Sequence, residues 1–297
     1  MAKKEVSRIE TKRKRYFFIT GSLVIKSYDF PTTSNLYHLC LIIIMELFVK
    51  EDSIVRKIWG SSDTVLFIFA GSAAEFALNK AVDWLYFTGK LPADPIGRLF
   101  STVNYAKQII FAKNEDALHT IDQINFIHKA IEGKRGYEIP DWSYRDVLFM
   151  LIYYSIASFE LLERKLTATE KEEVYNVFYR TGTRMELKGL PTSYKEWLPV
   201  RQEHLKNDLK KTKYTIDLFK QYKKNLGAVR YRILVEAQML VVPEIVKKLL
   251  AFRNFSLLKP TVPIYKLARL LKLDSFIKDI LLPSAYKKEI KELDVVT

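Results

Sequence analysis

Histidine is scarce in this chain, and one of its four histidines occupies a position suited to chemistry. His128 falls on an apolar stripe with Ile121, Ile124 and Ile131, at steps of three or four residues that predict one face of a helix. His119 lies on the polar side of the same predicted helix. Two interpretations of His128 remain open: a buried histidine satisfied by one hydrogen bond, or an axial ligand to haem iron. In the second case its other ring nitrogen is expected to bond a carbonyl or carboxylate.

A second candidate group lies on the preceding predicted helix. Arg98 and Thr102 are four residues apart, so they share one helix face, with Ser101 beside them. They are either a solvated arginine and a threonine satisfied by its own helix, or a fixed cation and a hydroxyl donor. The latter pair could face a bound oxidant or a carboxylate such as a haem propionate.

Several other kinds of site are excluded by their missing motifs. The sequence has no glycine-rich phosphate loop, dinucleotide fingerprint, G-x-S-x-G elbow or H-E-x-x-H pair. Glu160 and Glu163 lack the Glu-x-x-His pairs of a ferritin-like di-iron site. A single cysteine, Cys40, rules out an internal disulfide or a cysteine-rich zinc site and indicates a reducing compartment. The basic residues are diffuse and form no recognition motif, so we expect no specific nucleic-acid partner.

Composition predicts an all-α fold: a single multi-helix domain with a core able to enclose a sizeable apolar ligand. Apolar residues make up 48% of the 297 residues, while glycine and proline number only 10 each, too few for the turns of a β-sandwich or barrel. Periodicity and capping signals predict helices over 36–50, 64–88, 95–112, 114–133, 144–165, 167–180, 200–225, 231–252 and 265–282, with a turn region at 191–199.

The predicted organisation places this domain at 36–256, between a basic irregular segment at 1–35 and a basic amphipathic helix within 257–297. The net charge of +14 suits nucleic acid, an anionic membrane surface or an acidic ligand. The most apolar stretch, 36–49, is shorter than the roughly 20 residues that span a bilayer, and the basic start lacks a signal-peptide cleavage site. We therefore expect a cytoplasmic protein, with peripheral membrane contact through the basic termini as an alternative.

Four short runs together resemble the oxygenase family of MpaB and rubber oxygenase (latex-clearing protein). They are W-G-S-S-D at 59–63, A-L-N-K-A-V at 77–82, D-P-I-G-R-L at 94–99 followed by Thr102, and H-K-A-I-E-G at 128–133. Their order and spacing match those of the family, and the likeness covers about residues 56–250.

The resemblance implies an all-α haem b domain related to the globin arrangement. It implies that His128 is the proximal iron ligand and that Arg98 and Thr102 lie on the distal side, where family members use dioxygen to cleave double bonds of isoprenoid chains. This sequence departs from the family in two places. Ser101 replaces a lysine that closes the distal iron site in rubber oxygenase, and Asn79-Lys80 replaces a His-Pro pair common in relatives.

These observations favour a haem b-dependent oxygenase that acts with dioxygen on an apolar molecule such as an isoprenoid or lipid. Arg98 and Thr102 are the predicted catalytic residues, His128 and Arg98 the predicted cofactor-binding residues, and His128 the predicted metal ligand. Two alternatives stay open. One is a non-catalytic helical module that binds an anionic membrane surface, and the other is a protein that binds haem without turnover.

Overall fold

The computed structural model describes residues 46–87, 89 and 93–270, and within them the chain is built from α-helices. All of these helices belong to one compact unit, Leu47–Thr297. In chain order they are α1 (Ile54–Trp59), α2 (Ser62–Phe76), α3 (Val82–Phe87), α4 (Pro95–Ile110), α5 (Asn114–Arg135), α6 (Asp141–Leu162), α7 (Ala168–Arg184), α8 (Tyr194–Asn207), α9 (Lys213–Val241), α10 (Glu244–Leu250) and α11 (Thr261–Leu270).

The predicted all-α, single-domain class is confirmed over this described part, where β-pairing is limited to two isolated bridges. The predicted relation to the globin arrangement and the predicted segment boundaries at 35/36 and 256/257 stay predictions.

Helices α2 and α6 form the centre of the fold. They pack along each other, α9 packs against both, and α4 packs on α5 beside them. The close approach depends on Gly71 of α2, because a Cβ there would lie 2.2 Å from ring atoms of Tyr154 on α6. Both sides of this contact are deeply buried, which fixes the two central helices relative to each other.

Local capping signals set several helix ends as the sequence predicts. The side chain of Ser61 accepts a hydrogen bond from the Thr64 amide at the start of α2. Thr167 and Glu170 form a reciprocal capping box at the start of α7. Helix α5 ends at Gly136, which has a φ of 84°, so it continues beyond Gly133, its predicted end.

Tertiary contacts overturn two of the predicted elements. The predicted helix 64–88 is interrupted after Phe76, since Asn79 forms a bridge with Leu209 and the Lys80 amide donates to the Asp208 carbonyl. The predicted turn region at 191–199 becomes the start of α8, with Pro199 inside the helix. Pro199 is the sixth residue of α8, beyond the first turn, so it removes one backbone hydrogen bond from the helix interior.

Several other predicted helices also differ from the helices in the structure. The short helix α1 has no counterpart in the prediction. The predicted helix 36–50 lies mostly outside the described residues, and its end is not helical, since Leu47 forms an isolated bridge with Lys113. The predicted helix 200–225 is interrupted between α8 and α9, and the predicted helix 231–252 is interrupted between α9 and α10. The predicted break between these two helices becomes a kink at Gly227, with a φ of 75°, inside α9.

The final amphipathic helix, predicted over 265–282, begins earlier, at Thr261, and the predicted residues beyond 270 lie outside the described residues. Lys266 donates to the Glu163 carbonyl at 3.2 Å, and Arg269 pairs with Glu163 at 2.5 Å and Asp63 at 3.0 Å. Its cations therefore contact the ends of α6 and α2. None of the described helices has both the length and the apolarity needed to cross a membrane.

Candidate functional site: an apolar cavity beside His128

An apolar cavity of about 300 Å³ lies among α2, α4, α5 and α6, with contributions from α3, α7 and α9. Most of its described lining is aliphatic or aromatic, as in Phe76, Ile109, Ile131, Leu148 and Phe178. All three residues singled out by sequence, Arg98, Thr102 and His128, line this cavity. The predicted space for an apolar ligand therefore corresponds in position to this half-open cavity.

The D-P-x-G run has a local structural explanation. The Asp94 side chain accepts a hydrogen bond from the Gly97 amide at 2.8 Å, and Pro95 occupies the first turn of α4. A Cβ at position 97 would lie 2.1 Å from a carboxylate oxygen of Asp94, so glycine permits this cap. The cap fixes the start of α4 and with it the position of Arg98, which follows directly.

Arg98 and Thr102 contact each other on the cavity side of α4. Nη1 of Arg98 donates to the hydroxyls of Ser101 at 3.2 Å and Thr102 at 3.3 Å, while the Thr102 hydroxyl donates to the Arg98 carbonyl at 3.2 Å. Burial lowers the pKa of Arg98 below its ordinary value. Thr102 is thus satisfied within its own helix, whereas Arg98 is a partly buried cation in the cavity wall.

His128 is held in the cavity as a neutral imidazole. Its burial, and then the charge of Arg98, lower its pKa to about 4, while Glu132 acts in the opposite direction. Its Nδ1 is buried and has no hydrogen-bond partner. The sequence predicts that one ring nitrogen of His128 bonds to a carbonyl or carboxylate. Nδ1 makes no such hydrogen bond to the described residues.

An aromatic ring packs against the imidazole. The ring of Tyr144 on α6 packs against the His128 ring, with centroids 4.7 Å apart and planes inclined at 38°. Glu132, one turn after His128, accepts hydrogen bonds of 2.9 Å from the Tyr144 hydroxyl and from the Ile139 amide. The H-x-x-I-x-G run thus anchors α5 to the start of α6 around the imidazole.

The other histidine of α5 is solvent-facing, as its helical phase predicts. His119 lies on the polar side of the helix, and its Nε2 lies 3.0 Å from the side-chain amide of Gln123 in an exposed contact. The two histidines on this helix therefore have opposite environments.

A buried ionic network, which the sequence pattern did not reveal, lies outside the described lining of the cavity. Arg201 donates to both carboxylate oxygens of Glu75 at 2.6 Å, and Tyr154 donates to Glu75 at 2.9 Å. Burial alone would raise the pKa of Glu75, but the Arg201 charge and hydrogen bonds from His204 and Arg201 lower it to about 2. Glu75 is therefore ionised within the core.

His204 bridges this ion pair to a second carboxylate. Its Nε2 lies 3.1 Å from Glu75 and its Nδ1 2.6 Å from Asp146. Although burial alone would lower its pKa, the hydrogen bonds to Asp146 and Glu75 raise it to about 9. Asn79 donates to the other Asp146 oxygen at 3.0 Å, so the Asn79 departure from the family pattern joins this network and does not contribute to the described cavity lining.

Asp146, His204 and Asp208 also form a group whose ligand atoms lie close enough together to hold a metal ion. Both ring nitrogens of His204 already face carboxylates, Nε2 toward Glu75 and Nδ1 toward Asp146. The described contacts are those of an ion-pair network.

A sequence signal for this network does exist. Arg201, His204 and Asp208 follow each other at helical spacing, and Glu75 is the one carboxylate in the apolar second half of α2. The partners come from distant parts of the chain, so their pairing was not deducible from either segment alone.

Comparison with known proteins identifies the family. A family model described as the catalytic domain of ER-bound oxygenase mpaB/B' and rubber oxygenase matches residues 59–273, more than two thirds of the chain. No curated protein and no solved structure gives a match. The matched region contains the capped start of α4 and the His128 segment of α5, and the chain therefore belongs to the mpaB and rubber oxygenase family of catalytic domains.

Proposed function

We propose that this chain is a haem-dependent oxygenase that holds haem b in the apolar cavity through His128 and acts there with dioxygen. Its substrate is an apolar molecule such as an isoprenoid or lipid. The general oxygenase role rests on family membership, and the finer proposal rests on the chemistry of the cavity.

The state of His128 is the observation that carries the haem proposal. The imidazole lies on a helix beside an apolar cavity, is neutral at physiological pH, and has a buried ring nitrogen with no partner. A neutral imidazole with free bonding capacity in an apolar wall has the properties of an axial haem ligand. The aliphatic and aromatic lining suits the faces of a porphyrin and excludes water from them.

The other two candidate residues provide polarity where the cavity has little. Arg98 presents a fixed positive charge for an anionic group or for a polarised oxidant. The Thr102 hydroxyl becomes a donor to a bound molecule only if it rotates away from the Arg98 carbonyl, which now accepts its hydrogen. When bound, the haem iron supplies the chemistry that activates dioxygen.

Where rubber oxygenase has a lysine, this chain has Ser101, which is not among the described lining residues of the cavity. The Ser101 hydroxyl accepts from Arg98, and serine is too short and uncharged to close the distal iron site as the family lysine does. We propose that dioxygen access in this chain does not require displacement of a side chain at position 101.

The proposal is tested on the full chain purified from haem-supplemented cells, by its visible spectrum and its consumption of dioxygen. We expect a Soret band, one haem per chain, and haem-dependent consumption of dioxygen when a polyprenyl substrate is added, with cleaved products detected by mass spectrometry. A protein that stays colourless even after haemin is added would refute the proposal. A coloured protein that consumes no dioxygen with polyprenyl or lipid substrates would support haem binding without turnover.

The membrane-binding alternative stays a prediction with a separate readout. On α11, Ile264 and Leu267 are 68% and 58% exposed, but the helix's cations Lys266 and Arg269 contact Glu163. Salt-sensitive binding of colourless protein to anionic liposomes would favour that alternative over the oxygenase.

A further inference from the structure

Arg98 is the one charged side chain in the described cavity lining, where His128 is neutral. The lining contains no described aspartate, glutamate or lysine. A cation in an apolar wall is stable only when an opposite charge or hydrogen bonds replace its lost hydration. The cavity therefore lacks, among its described residues, the carboxylate that would balance Arg98.

The hydrogen bonds of Arg98 leave much of its guanidinium unused. Nη1 contacts the hydroxyls of Ser101 and Thr102, whereas Nη2 and Nε make no hydrogen bond to any described residue. No carboxylate of the described residues lies within ion-pair distance. Two other arginines show the usual arrangement: Arg201 forms a bidentate pair with Glu75, and Arg135 pairs with Asp83 at 2.7 Å.

Arg98 shares this apolar lining with His128, and no other described lining residue offers its charge a counter-ion. An anion bound at Arg98 would lie in an apolar environment, where a charge-assisted hydrogen bond is stronger than in water.

We propose that the substrate of this cavity is a long-chain carboxylate, an alkyl or isoprenoid acid whose carboxylate pairs with Arg98 while its chain lies against the apolar lining. This inference rests on the proposed function and names the substrate class for the same site. Arg98 acts in it as a specificity-determining residue. The two free donor positions of the guanidinium match the two oxygens of a carboxylate.

A haem propionate has the same chemistry, so the test separates the two sources of carboxylate. Farnesoic acid and farnesol share one chain and differ in the charged end. Their dissociation constants are measured by calorimetry on the haem-loaded protein, where the propionates are already present. We expect the acid to bind about tenfold more tightly or better.

Three variants make the test specific. Arg98→Leu and Arg98→Gln are expected to abolish the preference for the acid, expressed as the ratio of the farnesol and farnesoic acid dissociation constants, so that a general change in cavity affinity cancels. Lys107→Leu removes a positive charge from the same helix outside the described lining and is expected to keep the preference.

Equal affinity of the wild-type protein for acid and alcohol would overturn the inference. A preference that survives in Arg98→Leu would overturn it as well. Loss of haem in both Arg98 variants, without an acid preference in the wild type, would assign Arg98 to the propionates instead. If the protein binds no haem but still prefers farnesoic acid through Arg98, the carboxylate site stands and the haem proposal fails.

Discussion

The ring of Tyr144 lies against the imidazole of His128, with centroids 4.7 Å apart, and the Tyr144 hydroxyl is held by Glu132 one turn further along α5. The buried Nδ1 of His128 has no hydrogen-bond partner. The Tyr144 ring therefore restricts the orientation of the imidazole, as a hydrogen bond to a second residue does for many metal-binding histidines.

This contact predicts a graded response to substitution at position 144. Tyr144→Phe keeps the ring and is expected to bind haem nearly as well as the wild type. Tyr144→Leu removes the ring and is expected to lower haem affinity about tenfold, as loss of a supporting residue commonly does. It should also broaden the electron paramagnetic resonance signal of the ferric haem, because the ligand plane is no longer fixed. Identical signals and affinities in all three proteins would contradict this role of Tyr144.

The capped start of α4 predicts opposite effects for two glycines. Gly97→Ala places a Cβ against the Asp94 carboxylate and is expected to lower the free energy of unfolding by about 1–2 kcal/mol, as loss of a helix cap does. Gly133 lies in α5, with open space where the methyl group of an alanine would lie. Gly133→Ala is therefore expected to raise stability by about 0.5–1 kcal/mol. Chemical denaturation measures both, and equal effects would contradict the role of the D-P-x-G run as a helix cap.

The buried pair of Glu75 and Arg201 predicts a large cost for removing one partner. Glu75→Gln leaves Arg201 charged and unpaired in the core and is expected to cost about 3–5 kcal/mol. Arg184 and Asp122 form an equally short but exposed pair at 2.6 Å. Asp122→Asn is expected to change stability by less than about 1 kcal/mol. If Glu75→Gln lowered the free energy of unfolding as little as Asp122→Asn does, the network would not be a structural element of the core.

The raised pKa of His204 predicts that stability declines in mild alkali. The pKa is about 9 in the folded chain and 6.5 in the reference state, so the folded protein holds the proton more tightly. The resulting stability is fully present below pH 6.5 and is lost as pH rises through 9. The expected loss is roughly 3 kcal/mol at most.

Unfolding titrations between about pH 6.5 and pH 9.5 test this, with His204→Gln and His119→Gln compared. In His204→Gln the free energy of unfolding should no longer fall with rising pH over this range. In His119→Gln, which alters the polar side of α5, that pH dependence should remain. A flat profile in the wild type would mean that His204 is not protonated in the folded chain.

Sequence reasoning predicted the parts of the site that depend on local pattern. The helical spacing around His128 and the cap at Asp94 are each encoded within a few residues, and the structure places His128, Arg98 and Thr102 on one cavity. Spacing alone left their roles open, and the family resemblance provided the assignment to haem.

What the sequence did not predict depends on pairings between distant segments. The helix predicted over 64–88 breaks where Asn79 and Lys80 pair with Leu209 and Asp208, which are far away in the chain. Glu75 and His204 are similarly distant in sequence, and only the packing of α8 near α2 reveals that they form one network. Helical periodicity carries no information about which helices become neighbours.

The most direct test of haem ligation compares two histidines on the same helix. His128→Ala and His119→Ala are prepared in parallel, with circular dichroism as a check on folding, and haem content is measured by the Soret band and the pyridine haemochrome assay. We predict that His128→Ala folds and loses the axial-imidazole spectrum and most of its haem, while His119→Ala keeps the wild-type haem content and spectrum. Unchanged haem content and spectrum in folded His128→Ala would contradict the central claim that this imidazole ligates the haem iron.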